Sequence, residues 1–138
     1  MAGNYEMALR FAGAKVIAYE EFGSYQGDWI AKVEYKNQIA WVWGRYGSCS
    51  GCDAFEADLG YGNEHDHADG KYISTYNFEK DQLDDCVECQ SLKAKIVKFG
   101  LPYLDDLLTF EDIFVKASED IEWDMEAKEM IDWLNKNK

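Results

Sequence analysis

Four cysteines stand in two identical C-x-x-C spacings, Cys49 with Cys52 and Cys86 with Cys89. Each pair can present two thiolates on one side of a turn or of the first turns of a helix. A Zn²⁺ ion binds four such sulfurs in a tetrahedron at about 2.3 Å. The spacing therefore predicts a structural zinc site made by Cys49, Cys52, Cys86 and Cys89. Free thiols in the core are the simpler interpretation of the same residues.

A second ligand set overlaps the first, because Cys49 and Cys52 are followed by His65 and His67. The 12 residues between Cys52 and His65 match the gap of a C₂H₂ zinc finger, but the histidines are one residue apart instead of three to five. Ordinary exposed loop histidines are the alternative. A small metal-dependent or thiol enzyme that uses the Cys49 and Cys52 turn with His65 or His67 is a further hypothesis. No nucleotide-binding loop or serine-hydrolase motif accompanies these residues, and no catalytic residue is predicted.

The net charge of −13 is concentrated in two parts of the chain. Residues 53–89 carry −9 and residues 101–138 carry −7, whereas residues 90–100 carry +3. This balance argues against direct binding of nucleic acid, because lysine and arginine supply most of the affinity for phosphates. It favours a basic protein surface as the partner, although the charge can also serve solubility alone. The acidic residues predicted to contact the partner are Glu64, Asp66, Asp69, Asp81, Asp84 and Asp85.

Aromatic residues form the other candidate surface. Tyr25, Trp43 and Tyr46 come from one predicted hairpin and the loop before it, and we expect them to be exposed beside the zinc as anchors of an interface. Packing in the core is the alternative. A third hypothesis places a pocket for a small nucleotide-like ligand between the hairpin and the glycine loop at residues 23–27.

Patterning predicts one α+β domain that spans residues 1–138. In it, a short antiparallel sheet, built on a central hairpin at about residues 28–46, packs against three to four helices on one side, and the zinc joins sheet to helix. The elements expected around the hairpin are helix 4–11, a short helix from Asp53, a loop 60–71, a strand 72–78, a long helix from Glu79 to Gly100, and helices 110–116 and 118–134.

The chain has no run of about 20 apolar residues and no basic, then apolar, leader at its start, so we expect a cytoplasmic protein. Reducing conditions in that compartment favour metal binding by the cysteines over disulfide formation.

Two segments resemble a family of small proteins from phages and bacterial genomes. They are Gly23-Ser-Tyr-Gln-Gly-Asp-Trp29 and Tyr46-Gly-Ser-Cys-Ser-Gly-Cys-Asp-Ala-Phe-Glu-Ala57. The later C-x-x-C pair and Phe99-Gly-Leu-Pro-Tyr-Leu-Asp-Asp-Leu107 are similar to the C-terminal half of that family. The resemblance implies a shared metal pattern and a phage-related origin, with no assigned reaction. In a phage setting we expect an inhibitor that occupies the basic surface of a nucleic-acid-handling or defence protein of the host.

Overall fold

The computed structural model describes residues 3–23, 26–47, 53–60, 63–67, 69–75, 78, 86–119 and 125–138. It has the predicted α+β architecture. The elements, in chain order, are α1 (Asn4–Phe11), β1 (Lys15–Gly23), β2 (Gly27–Tyr35), β3 (Gln38–Tyr46), α2 (Ala54–Leu59), β4 (His65–Asp66), β5 (Tyr72–Ile73), α3 (Val87–Leu104), α4 (Phe110–Glu119) and α5 (Met125–Asn137).

The main sheet is an antiparallel meander in the order β1-β2-β3, so β2 is the central strand. The predicted hairpin is confirmed. Its two-residue connection, Lys36 and Asn37, has positive φ values of 51° and 63°. This is the conformation of a type I′ turn, whose twist matches that of the two strands it joins. The turn fixes the register of β2 on β3, in which Ala31 pairs with Val42.

Both faces of the sheet are covered, which corrects the prediction that the helices lie on one side. Residues alternate along β2, so Trp29 and Ala31 face α1 and α3, whereas Ile30 faces the helices α4 and α5. The sequence pattern does not reveal the second covered face. Trp29, Ala31 and Val33 suggest one buried face, and Ile30 is the only apolar residue of the other face among the residues between them. Trp29, Ile30 and Ala31 are all fully buried.

The two cores have different compositions. The first holds Tyr5 stacked on Trp29 with ring centroids 5.1 Å apart, and it extends to Cys89 near the start of α3. The second is smaller and contains Phe22, Ile30, Trp41, Ile113, Ala117, Met130 and Leu134. The first core therefore holds the start of α3 in place, and α3 carries two of the predicted zinc ligands.

Local signals in the sequence locate some helix ends and misplace others. The α1 range agrees with the prediction, and Asp53 caps α2 by accepting a hydrogen bond from the Glu56 amide at 2.9 Å. The predicted end of the long helix at Gly100 is wrong, because α3 continues through Pro102 to Leu104. The prediction that Ser118 starts the last helix is also wrong, since Ser118 lies in α4 and its hydroxyl donates to the Phe114 carbonyl.

Packing explains the glycine inside α3. A Cβ atom at Gly100 would lie 2.3 Å from the carbonyl oxygen of Ala8, so only glycine allows α1 and α3 to approach this closely. A glycine that would end an isolated helix is here required by the crossing of two helices.

We predict that Gly100→Ala destabilises the protein although alanine is the better helix former. The helix-propensity gain is about 1 kcal/mol, whereas overpacking against the backbone of Ala8 costs about 1–3 kcal/mol and forces α1 away. Urea unfolding should therefore show a lower midpoint for Gly100→Ala. The exposed α3 substitution Ser91→Ala, as the control, should leave the midpoint almost unchanged. A stabilised Gly100→Ala variant would show that the close helix crossing is absent.

Candidate metal centre

A small hairpin places His65. Strands β4 and β5 pair His65 with Ile73 and Asp66 with Tyr72. The turn between them is closed by a hydrogen bond of 2.7 Å from the His67 amide to the Lys71 carbonyl. Directly paired residues point to the same side of a β-ladder. Ile73 is 1% exposed, so its burial turns the His65 side chain toward the protein as well.

The beginning of α3 places the two thiols. Cys86 is the N-cap residue of the helix, and its Sγ accepts a hydrogen bond from the Cys89 amide at 3.4 Å. The cap position and the third helical position lie on the same side of the first turn. Cys89 is fully buried and Cys86 is half-buried. The C-x-x-C spacing, combined with the helix start, therefore directs both sulfurs into one small volume.

His65, Cys86 and Cys89 converge on one point. The His65 Nε2 atom lies 3.2 Å from the Cys89 Sγ and 3.3 Å from the Cys86 Sγ, and all three donor atoms are within 4.8 Å of one another. A tetrahedral zinc ion, with bonds of about 2.0 Å to nitrogen and 2.3 Å to sulfur, separates such ligands by about 3.5 Å. The two nitrogen–sulfur distances are therefore within a few tenths of an ångström of those around a zinc ion.

The electrostatics of the site suit a cation. Burial, followed by the hydrogen bond and the charge of Cys86, raises the pKa of the Cys89 thiol to about 11. A divalent ion offsets this cost because it binds the thiolate directly. The N-terminus of α3 also favours negative charge at these positions. Glu88 adds a carboxylate at the rim, where its Oε2 accepts a hydrogen bond from the Cys86 thiol at 3.4 Å.

The two histidines have different environments. His67 Nδ1 lies 3.2 Å from the Asp69 carboxylate, within the turn that follows β4. It is not in the group formed by His65, Cys86 and Cys89. The hydrogen bond from the Lys71 amide, at 2.9 Å, is the largest cause that lowers the pKa of Asp69. Of the two predicted histidine ligands, the described structure brings His65 alone to the cysteines and gives His67 a role in the turn.

Cys49 and Cys52 lie outside the described residues, so the four-cysteine site stays a prediction. The described residues nearest to this pair in the chain are Gly47 and Asp53. Asp53 is 2% exposed, and its Oδ1 accepts hydrogen bonds from the Gly47 amide at 2.8 Å and from the Tyr5 hydroxyl at 2.7 Å. Gly47 and Asp53 are therefore both held beside Tyr5.

Tyr5, in α1, contacts a part of α3 that is distant from the candidate ligands Cys86 and Cys89. Its ring packs on Phe99 and Tyr103 at centroid distances of 5.9 and 6.2 Å. These two residues follow Cys89 by 10 and 14 positions, which is about 15–21 Å along the helix axis. Gly47 and Asp53 are thus anchored near the end of α3, whereas Cys86 and Cys89 are at its beginning.

The predicted partner-binding residues divide into three groups. Glu64, Asp66 and Asp69 are exposed on or next to the β4–β5 hairpin, and their contact with a partner stays a prediction. Asp81, Asp84, Asp85 and Tyr25 lie outside the described residues.

The aromatic predictions need correction. Tyr46 is 6% exposed, and its hydroxyl donates to the Phe22 carbonyl, so it belongs to the core. Trp43 is half-buried, donates from Nε1 to Asp28 at 3.0 Å, and is covered by the Lys116 ammonium 5.1 Å from the ring centroid. The physical reason is that the sheet has helices on both faces.

Spacing rules alone did not identify His65 as the partner of the second cysteine pair. Twenty residues separate His65 from Cys86, and a hairpin that brings them together leaves only a weak trace in the sequence. The usable signal is a histidine at the start of a short strand that precedes a C-x-x-C pair at a helix start.

Comparison with known proteins adds no relative. No protein-family model, curated protein or solved structure matches the chain. Among the described helices, none is long and apolar enough to cross a membrane.

We predict that the two histidines differ in metal binding. His65→Ala should lower zinc affinity at least about 100-fold, because it removes a direct ligand, and loss of outer-shell partners alone costs 10–100-fold. His67→Ala, the matched control, should keep the affinity within a few-fold. Competition with a chromophoric zinc chelator measures both. Equal affinities of the two variants would contradict the assignment of His65.

Proposed function

We propose that this chain is a zinc-binding protein in which the ion joins the β4–β5 hairpin to the start of α3. The observation that carries the proposal is the convergence of the His65 nitrogen and the Cys86 and Cys89 sulfurs from segments more than 20 residues apart. Thiolate and imidazole ligands favour zinc among the common divalent ions, and hard ions such as Ca²⁺ and Mg²⁺ prefer oxygen.

The ion has a structural task in this proposal. Strands of two residues each are marginal on their own, and the hairpin needs a further link to keep its position. Zinc supplies that link because its binding energy becomes folding energy when the ligands come from separate segments.

The hairpin would then act as the binding surface of a non-catalytic interaction protein. Glu64, Asp66 and Asp69 are exposed beside the candidate site, on a segment that the ion holds rigid. A fixed cluster of carboxylates attracts a basic surface and accelerates its association. The partner class that we propose is a protein that handles nucleic acid or serves in host defence, whose basic site is blocked. The phage-related origin belongs to this proposal.

The acidic surface can be tested with charge-neutral variants. We predict that Glu64→Gln/Asp66→Asn/Asp69→Asn no longer retains a basic protein that the immobilised wild type captures from nuclease-treated bacterial lysate. Association with the isolated partner should slow about tenfold or more, and raising the salt should reduce the difference, because screening weakens steering.

The matched control neutralises three exposed acids of α4 and α5, Glu111→Gln/Glu129→Gln/Asp132→Asn. This variant should retain the partner. Equal loss in the two variants would assign the effect to net charge. Association that does not respond to salt would contradict the steering mechanism.

A metal-dependent enzyme is the second candidate, and one observation favours it. The described ligands number three, and a cleft of about 290 Å³ beside His65 is lined by Glu64, Glu88, Ser91 and Lys95, among others. Three protein ligands and an open position are typical of catalytic zinc.

Cobalt substitution separates the two candidates. An open position predicts that azide changes the visible spectrum of the Co²⁺ form, because the anion binds the metal. A closed structural site predicts no change.

A further inference from the structure

The outer face of α3 carries apolar residues that the fold leaves in solvent. We call Val87, Gln90, Ala94, Val97 and Leu101 the α3 seam, in which Gln90 is the one polar residue. Val87 is 76% exposed and Leu101 is 40% exposed, and Val97 is half-buried. The seam follows a surface depression of about 630 Å³. An exposed apolar strip of this kind on a soluble domain commonly marks an interaction site.

The spacing of the seam is that of a coiled-coil face. Successive seam residues are three, four, three and four positions apart, so they correspond to alternating a and d positions of a heptad. The flanking positions that set partner choice in such pairs include 93 and 98, and both are lysines. In the part of the chain that the structure describes, neither lysine has a carboxylate within salt-bridge distance.

The seam is held in a fixed shape before any partner binds. The opposite face of α3 contains Leu92, Ile96 and Gly100, which are buried against the first core and the backbone of Ala8. The helix is 18 residues long, about 27 Å, which is enough to present five contact positions in a row. A preformed face loses little conformational entropy on binding.

We propose that the α3 seam docks an acidic amphipathic helix of a partner protein. Apolar residues of that helix would pack between Val87 and Leu101, and glutamates or aspartates beside them would face Lys93 and Lys98. The charge beside the seam argues for this occupant, because Lys93 and Lys98 line its depression with Asp105 as the one carboxylate among the lining residues, whereas the whole chain carries −13. The seam is thus the basic surface of an acidic molecule, and it selects a partner of the opposite sign.

A second copy of the chain fits the seam less well. Two seams in a symmetric dimer would bring the lysines of both copies together. The acidic helices α4 and α5 bury most of their described apolar residues in the second core, among them Ile113, Met130 and Leu134, and Val115 of α4 is 55% exposed. Among the described residues of these two helices, one exposed valine does not make an apolar stripe for another copy.

The test uses a defined probe. A fluorescein-labelled peptide of four heptads, with leucine at positions a and d and glutamate at e and g, is titrated with the zinc-loaded wild type, and anisotropy reports binding. A second peptide with lysine at e and g is the charge control. We expect the acidic peptide to bind at least tenfold more tightly than the basic one.

Two protein variants locate the binding. Lys93→Glu/Lys98→Glu should weaken binding of the acidic peptide at least tenfold and improve binding of the basic peptide. Lys128→Glu/Lys136→Glu makes the same charge change at exposed positions of α5 and should change neither affinity more than about threefold. Leu101→Ser should weaken both peptides. Circular dichroism melts check that all variants remain folded.

Four results would overturn the proposal. These are equal affinity for both peptides, equal weakening by the α5 control, a wild-type dimer that Leu101→Ser dissociates, or binding to anionic lipid vesicles that Lys93→Glu/Lys98→Glu abolishes. The third result would assign the seam to a second copy, and the fourth to a membrane surface.

Discussion

The contact of the His65 imidazole with the Cys86 and Cys89 thiols joins the short hairpin to the first turn of α3. Burial and charge conflict at this contact, since burial and the neighbouring Cys86 raise the pKa of the Cys89 thiol. The zinc ion that we propose would resolve this conflict, because it would bind all three atoms and offset their charge. The hairpin that carries the exposed acids would then be held in place.

Helix α3 carries both the candidate metal site and the contacts with α1. At its start it carries the thiols, and in its C-terminal third Gly100 permits the crossing with α1 while Phe99 and Tyr103 pack on Tyr5. The same helix exposes lysines and apolar residues to solvent. We propose two interaction surfaces of opposite charge, the acidic hairpin and the α3 seam, and Val87 of the seam also lines the cleft beside His65.

Local chemistry explains which parts of the fold the sequence predicts. The hairpin follows from alternation and a two-residue turn, and the start of α2 follows from Asp53, since both depend on neighbours in the chain. The continuation of α3 past Gly100 depends on Ala8, which is 92 positions away, and no local rule contains it. The second covered face of the sheet could not be predicted, because on that face of β2 Ile30 is followed by the charged residues Lys32 and Glu34.

The candidate site shows the same division. The C-x-x-C spacing predicts that Cys86 and Cys89 act together, because one helical turn is enough to align them. The addition of His65 requires the register of β4 on β5 and the burial of Ile73, which are tertiary facts. Cys49 and Cys52 have the same spacing as the second pair, and spacing alone cannot tell which pair shares an ion with a histidine.

X-ray absorption at the zinc edge of the protein, purified without added metal, tests the centre most directly. Coordination by His65, Cys86 and Cys89 predicts two sulfur ligands at about 2.3 Å, with the remaining nitrogen or oxygen ligands at about 2.0–2.1 Å and the outer-shell scattering of an imidazole ring. Four sulfur ligands with no imidazole signal, or protein that contains no zinc, would contradict it.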